Sequence, residues 1–162
     1  MGPGTKRFPI GPASLIQVDA FNKELVIPGP WTILTATSEQ YPEFQEFGKL
    51  NNLSDMSALG VLPTFSGTFR YETQFEWTQP ASSILLDLGE VFEIGEVWLN
   101  EQRLGLRICP PYQFEVGNAL RQGRNVLVVE VTNTLVKAQP DFFSRFVQQE
   151  PSGLIGPIKL LF

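Results

Sequence analysis

Nine consecutive residues constrain this chain more than any others. Phe69, Tyr71, Thr73, Phe75 and Trp77 alternate with Arg70, Glu72, Gln74 and Glu76. Successive side chains of a strand point to opposite faces, so a period of two predicts a half-buried strand. Phe69, Tyr71, Phe75 and Trp77 belong on a core, and Arg70, Glu72 and Glu76 face outward. Further short apolar or alternating runs occupy residues 31–36, 84–88, 94–108, 112–116, 126–132 and 156–162. They recur roughly every ten residues and are bounded by Gly, Pro or Asn, which reads as an antiparallel β-sandwich. We expect about eight to ten strands in one all-β domain. No amphipathic helix of useful length is visible. The apolar run at 126–132 suits a central strand covered on both faces.

Composition narrows the functional classes. A chain of 162 residues is one ordinary domain. Its 14 Gly and 13 Pro agree with a turn-rich β protein. The formal net charge is −5 and no basic stripe exists, so nucleic acid is not an expected partner. No segment approaches the roughly 18 apolar residues of a membrane span, so a membrane is not one either. The chain contains no His, which excludes Ser-His-Asp and Cys-His catalysis and every His-ligated metal site. Its single cysteine, Cys109, allows no intrachain disulfide. No Asp-rich run of the kind that holds calcium appears, and neither a metal nor a cofactor is expected.

Gly2-Pro3, Gly11-Pro12 and Pro28-Gly29-Pro30 punctuate the first part of the chain. Residues 1–29 therefore read as a linker or a docking pair of strands, and residues 30–162 as the sandwich domain. Residues 37–65 lack a sustained period, and a loop of that length tends to be functional or to hide short elements. Within it, residues 52–60 suit a helical turn capped by Ser54 and stopped by Gly60. Asn100-Glu101 marks a hairpin turn in which Asn fits the first place and Glu fits the second poorly. The abrupt apolar strand at 158–162 suggests a piece of something longer.

Four motifs in order carry a resemblance. They are Phe65-Ser-Gly-Thr-Phe-Arg-Tyr71; Leu86-Asp-Leu-Gly-Glu90 with Glu96-Val-Trp-Leu-Asn100 and Leu104-Gly105; Asn118-Ala-Leu120 with the stretch from Gly123 to Asn133; and Pro151-Ser-Gly-Leu-Ile-Gly-Pro-Ile158. Over roughly residues 30–162 they resemble the sugar-binding, galactose-binding-like jelly-roll domain of glycoside hydrolase family 2 and of α-L-rhamnosidase-like enzymes. Where the β-glucuronidase branch carries His and paired Gly, this chain has Arg107-Ile-Cys-Pro-Pro-Tyr112, which points toward the rhamnosidase-like or uncharacterised relatives. The resemblance implies a jelly-roll sandwich attached to a catalytic domain. Its partners would be that domain of the parent enzyme and, weakly, carbohydrate. The catalytic module of family 2 is a (β/α)₈ barrel of about 250 residues, which cannot fit in this chain.

Most motif residues also have structural readings. Trp98 is expected in the core before a sugar platform, Asn133 as a partner of loop amides before a ligand contact, and Arg70 in an ion pair with Glu72 or Glu130. Tyr41, Phe44, Phe47, Tyr112, Phe142 and Phe143 could stack on a sugar ring, or pack on an absent catalytic domain. Asn100, Arg107, Gln113 and Arg145 could bond its hydroxyls. The expected carbohydrate site is Asn100, Arg107 and Tyr112, around the hairpin tip and the Pro110-Pro111 kink. Proline holds φ near −65°, which would set Tyr112 stiffly beside the Arg107 donors. Asp87, Glu90, Glu93 and Glu96 read as solvent-facing acids, and no catalytic residue is expected.

Overall fold

The structure, a computed structural model, describes residues 21–80, 83–139 and 150–162. Twelve strands run through it: β1 (Glu24–Val26), β2 (Trp31–Ala36), β3 (Gln45–Leu50), β4 (Thr68–Trp77), β5 (Leu85–Asp87), β6 (Glu90–Phe92), β7 (Ile94–Leu99), β8 (Gln102–Arg107), β9 (Gln113–Glu115), β10 (Gly123–Thr132), β11 (Gly153–Gly156) and β12 (Lys159–Leu161). They form a six-stranded sheet in the order β3-β2-β4-β10-β7-β8 and a four-stranded sheet in the order β1-β12-β5-β9, with β11 and β6 paired separately. Every pairing is antiparallel. The architecture is the expected all-β sandwich.

The alternation on β4 sets the inner face. Phe69, Tyr71, Phe75 and Trp77 are buried, while Gln74 and Glu76 are exposed and Arg70 and Glu72 partly so. Leu127, Val129 and Val131 of β10 and Val97 and Leu99 of β7 join the same layer. The smaller sheet and its loops close it with Leu86, Leu88, Phe114, Ile158 and Leu160. Burying a side chain of this size contributes about 1.5–3 kcal/mol, so these two inner faces supply most of the driving force.

Several expectations are refined. Residues 45–50, without visible period, form β3 at one edge of the larger sheet, because an edge strand need not alternate cleanly. Residues 52–60 make turns, and the side chain that caps them is Asp55, not Ser54. There Asp55 Oδ1 accepts from the Ser57 amide, the Ser57 hydroxyl and the Ser152 amide, which anchors the loop beside β11. The strand expected at 126–132 starts earlier, at Gly123, and is central. It is covered on one face only, since Val126 is exposed and Val128 half-buried.

Candidate functional site

The three residues expected to bind a sugar are held in different ways. Asn100 takes the left-handed region, as does Glu101, with φ of 50° and 70°, in the two-residue turn between β7 and β8. Its amide group is committed to the fold. Nδ2 donates to the Ala119 carbonyl and to Asn125 Oδ1, both at 2.7 Å, and Oδ1 accepts from the Val126 amide at 2.9 Å. Tyr112 is 5% exposed, and its hydroxyl donates to the Glu93 carbonyl. Burial, then the nearby Cys109 and Glu93, pushes that phenol above its ordinary value. Its ring lies against Gly95, where an added Cβ would sit 3.5 Å from Tyr112 Cδ1. Arg107 is exposed, with its guanidinium 5.2 Å from the centre of the Phe114 ring, a cation–π contact. Asn100 and Arg107 stand at opposite ends of β8, about 20 Å apart at the usual strand rise. Tyr112, by contrast, packs against Gly95, the cross-strand partner of Arg107.

A groove lies on the outer face of the six-stranded sheet. Register builds its floor. Leu34, Arg70, Glu130, Glu96 and Leu106 form one row across β2, β4, β10, β7 and β8, and Thr32, Glu72, Val128, Trp98 and Arg103 form the next. The β2–β3 loop supplies a wall. Its turn is self-capped: Gln40 Oε1 accepts from the Thr37 amide and hydroxyl, and the Thr37 carbonyl accepts from the amides of Gln40 and Tyr41. This turn presents Tyr41, whose hydroxyl donates to Glu130 Oε2 at 3.2 Å. The Tyr41 and Phe44 rings meet edge to face at 5.7 Å, and the Arg70 guanidinium lies 5.5 Å from the Phe44 ring centre.

Two hollows flank Tyr41, and both are bounded by Glu130. One, of about 410 Å³, lies between Tyr41 and Phe44 on one side and Trp98 and Val128 on the other. The second, of about 310 Å³, runs past Glu96, Ile94 and Thr132. Both volumes fall at the small end of the range for ligand sites.

The charges on the floor are paired. Arg70 Nε contacts Glu72 Oε1 at 2.7 Å, and Arg70 Nη1 contacts Glu130 Oε1 at 3.1 Å. Arg103 Nε contacts Glu96 Oε1 at 2.5 Å. The Glu130 side chain is only 7% exposed, and a carboxylate so placed needs partners. Burial pushes its pKa above the ordinary value; Arg70 and the Tyr41 hydroxyl oppose the rise, and Glu96 adds to it. The charge of Glu130 in turn raises the Tyr41 phenol. Glu96 and Glu130 are two neighbouring carboxyls, but each is tied to a guanidinium. Among the described residues, no cluster of three or more His, Cys, Asp or Glu could hold a metal ion.

Of the other loop aromatics, Phe47 is exposed on β3, and Phe142 and Phe143 lie outside the described residues, as does Arg145. Gln113 is buried and donates to Asp87 Oδ2 at 2.8 Å. Trp98 corrects an expectation: it sits half-buried on the outer face, because Val97 and Leu99 take the inner one. The alternation Glu96, Val97, Trp98, Leu99 carried that signal. The lone acid Glu130 within the apolar run of β10 carried another.

No family model matches the chain. A protein of Formosa agariphila provisionally named β-glucuronidase is 28% identical over 137 residues, 81% of this chain and 12% of that protein. Among solved structures, the rhamnosidase from Novosphingobium sp. PP1Y superposes with a TM-score of 0.70 and 27% identity, covering 86% of this chain and 15% of that one. The Ruminococcus gnavus β-glucuronidase superposes with a TM-score of 0.66 at 18% identity, covering 87% and 29%, a likeness of fold. The chain thus spans about an eighth to under a third of the proteins it resembles.

Proposed function

We propose that this chain is a non-catalytic, carbohydrate-binding module of a larger glycoside hydrolase, with a galactose-binding-like jelly-roll fold. One observation carries the reading: more than four-fifths of the chain matches glycoside-acting proteins, yet it accounts for only 12% and 15% of the two with the highest identity given above. The chain corresponds to a single attached sandwich, and the bond-breaking chemistry belongs to the remainder of such a protein. The paired state of Glu96 and Glu130 agrees. Glycoside hydrolysis calls for one carboxyl to protonate the leaving group and another to act as base or nucleophile, and here both face a guanidinium in an open hollow. The catalytic domain of the parent enzyme is the module's protein partner. Its sugar affinity in isolation is weak, of order millimolar, or about −4 kcal/mol.

Titrating the isotope-labelled chain with neutral and uronate oligosaccharides, while following amide resonances, tests this. Saturable shifts at millimolar sugar are expected, with no turnover of nitrophenyl glycosides. Absence of shifts with every sugar would leave a packing module without sugar affinity. Turnover that is lost in Glu96→Gln or Glu130→Gln would make the chain an enzyme.

A further inference from the structure

We propose that the outer face of the six-stranded sheet, from Trp98 past Tyr41 to Thr132, binds a neutral oligosaccharide; this rests on the carbohydrate-binding reading above. Sugar rings present apolar C–H faces and a rim of hydroxyls. A site for them needs aromatic faces beside planar polar groups that are already held in place. Here Trp98, Phe44 and Tyr41 supply the rings. Arg70 and Glu130 supply donors and acceptors whose orientation is set by their mutual contact and by Glu72. The wall is built before any ligand arrives, since Tyr41 is fixed by the Thr37–Gln40 turn and by its bond to Glu130. Preorganisation of this kind lowers the ordering cost of binding.

Charge selects the class of sugar. Among the described residues Arg70 is the one cation lining the hollows, paired with Glu72 and Glu130, and Arg103 beside them is paired with Glu96, which leaves Glu101 and an excess of acid over base around the space. A uronate or sulfated chain would bring more negative charge to a surface with no free cation among its described lining residues. Bringing like charges together disfavours binding. A neutral chain instead uses the remaining lone pairs of these carboxylates as acceptors for its hydroxyls.

Length selects more than one ring. The two hollows share Tyr41 and Glu130. Val128 and Thr132, one on each side, are four residues apart on β10, a span of about 13 Å. A single pyranose fills one hollow; an oligosaccharide running along β10 uses both and passes over the Tyr41–Glu130 contact between them.

The chain carries its own reporter. Trp31 and Trp77 are 1% and 2% exposed, so Trp98 is the tryptophan whose emission a ligand in the groove alters. We would titrate the 162-residue chain with cellohexaose, xylohexaose and mannohexaose, and with a hexagalacturonate, following fluorescence and heat. At least one neutral hexasaccharide should give a saturable emission change at millimolar concentration. Hexagalacturonate should bind at least fivefold more weakly. Tyr41 is 49% exposed, so Tyr41→Ala should keep the fold, checked by its denaturation midpoint, and weaken binding at least fivefold. Trp98→Phe should remove the optical signal, and Arg107→Ala should change nothing. Tighter binding of hexagalacturonate would overturn the charge argument, and binding unaffected by Tyr41→Ala would overturn the location. Either result leaves a sugar-binding module with a different site. Silence with all four sugars, by fluorescence and by heat, would overturn this proposal and the carbohydrate-binding reading together.

Discussion

Asn100 and Asn125 offer a quantitative check on whether the hairpin tip is scaffold. Asn125 is fully buried. Its Nδ2 donates to the carbonyls of Arg121 and Gly123 at 2.7 and 2.8 Å, and its Oδ1 accepts from the Arg121 amide at 2.9 Å and from Asn100 Nδ2 at 2.7 Å. With the two further bonds of Asn100, to Ala119 and Val126, the pair organises the β7–β8 turn and the entry to β10. A net hydrogen bond contributes about 1 kcal/mol, and a buried group stripped of its partner costs about 1–3 kcal/mol. Asn125→Ala removes four bonds, but water can serve the exposed Arg121 backbone, so we expect a loss of about 3 kcal/mol. Asn100→Ala removes three and leaves alanine in the left-handed region, where it costs about 1–2 kcal/mol, so its loss is also about 3 kcal/mol. The bond between the two side chains is shared, so the double variant should lose about 1 kcal/mol less than the singles predict together. For a domain of this size each single change should lower Tm by about 6–12 °C. Urea midpoints and calorimetry on the four proteins measure the cycle. A single loss below about 1 kcal/mol, or strict additivity, would refute the argument that these amides bear structure. Folded Asn100→Ala should keep its sugar affinity, whereas a turn built for ligand would lose it.

Phe75→Ala should cost about 3–5 kcal/mol, since Phe75 is buried on the inner face of β4, and an unchanged denaturation midpoint would contradict that burial. Glu130→Gln should reveal a pH-dependent difference. The folded state holds the Glu130 proton to higher pH than the unfolded chain, so this group's contribution falls as pH rises through that window and levels off above the raised pKa. Relative to the Gln variant, the wild type should therefore gain stability as pH falls toward the ordinary glutamate range, about pH 4, as read from urea midpoints; a gain in the opposite direction would show that the ion pair outweighs burial. Gly89→Ala should destabilise strongly, because φ is +67° and a Cβ there would lie 2.6 Å from the Gly156 backbone, which cannot move aside as a side chain could. A melting temperature equal to wild type would contradict that packing.

The inner face was legible because it obeys one rule, apolar at every second position. That rule placed Phe69, Tyr71, Phe75 and Trp77 correctly, and Asn133 does serve loop groups, accepting from the Gly67 amide and donating to the Phe65 carbonyl. The groove was hidden because it depends on which strands become neighbours. Arg70, Glu130 and Glu96 are far apart in the chain and adjacent only through the β4-β10-β7 order. The pairing of Arg70 with Glu72 or Glu130 was expected and both pairs form, but no local pattern placed Glu96 in the same row. Trp98 misled because aromatic residues in strands are usually read as core, and only its phase relative to Val97 and Leu99 tells otherwise. Tyr112 misled in the opposite sense. A Tyr after two prolines looks like loop, yet its hydroxyl has a carbonyl partner, and that allows the ring to go inside.

The position of β12 has a consequence for biosynthesis. This strand lies between β1 and β5 and pairs with both. Glu24 and Lys159, joined by an ion pair at 2.8 Å, are 135 residues apart in the chain. At translation rates of about 5–20 residues/s, the first strand of the smaller sheet waits on the order of ten seconds for its neighbour to leave the ribosome. During that interval the apolar side of the growing large sheet lacks the β12 part of its cover. Contacts so distant in sequence also close slowly once available. Variants that weaken β12 should therefore reduce soluble yield more than they lower the melting temperature of the protein that survives.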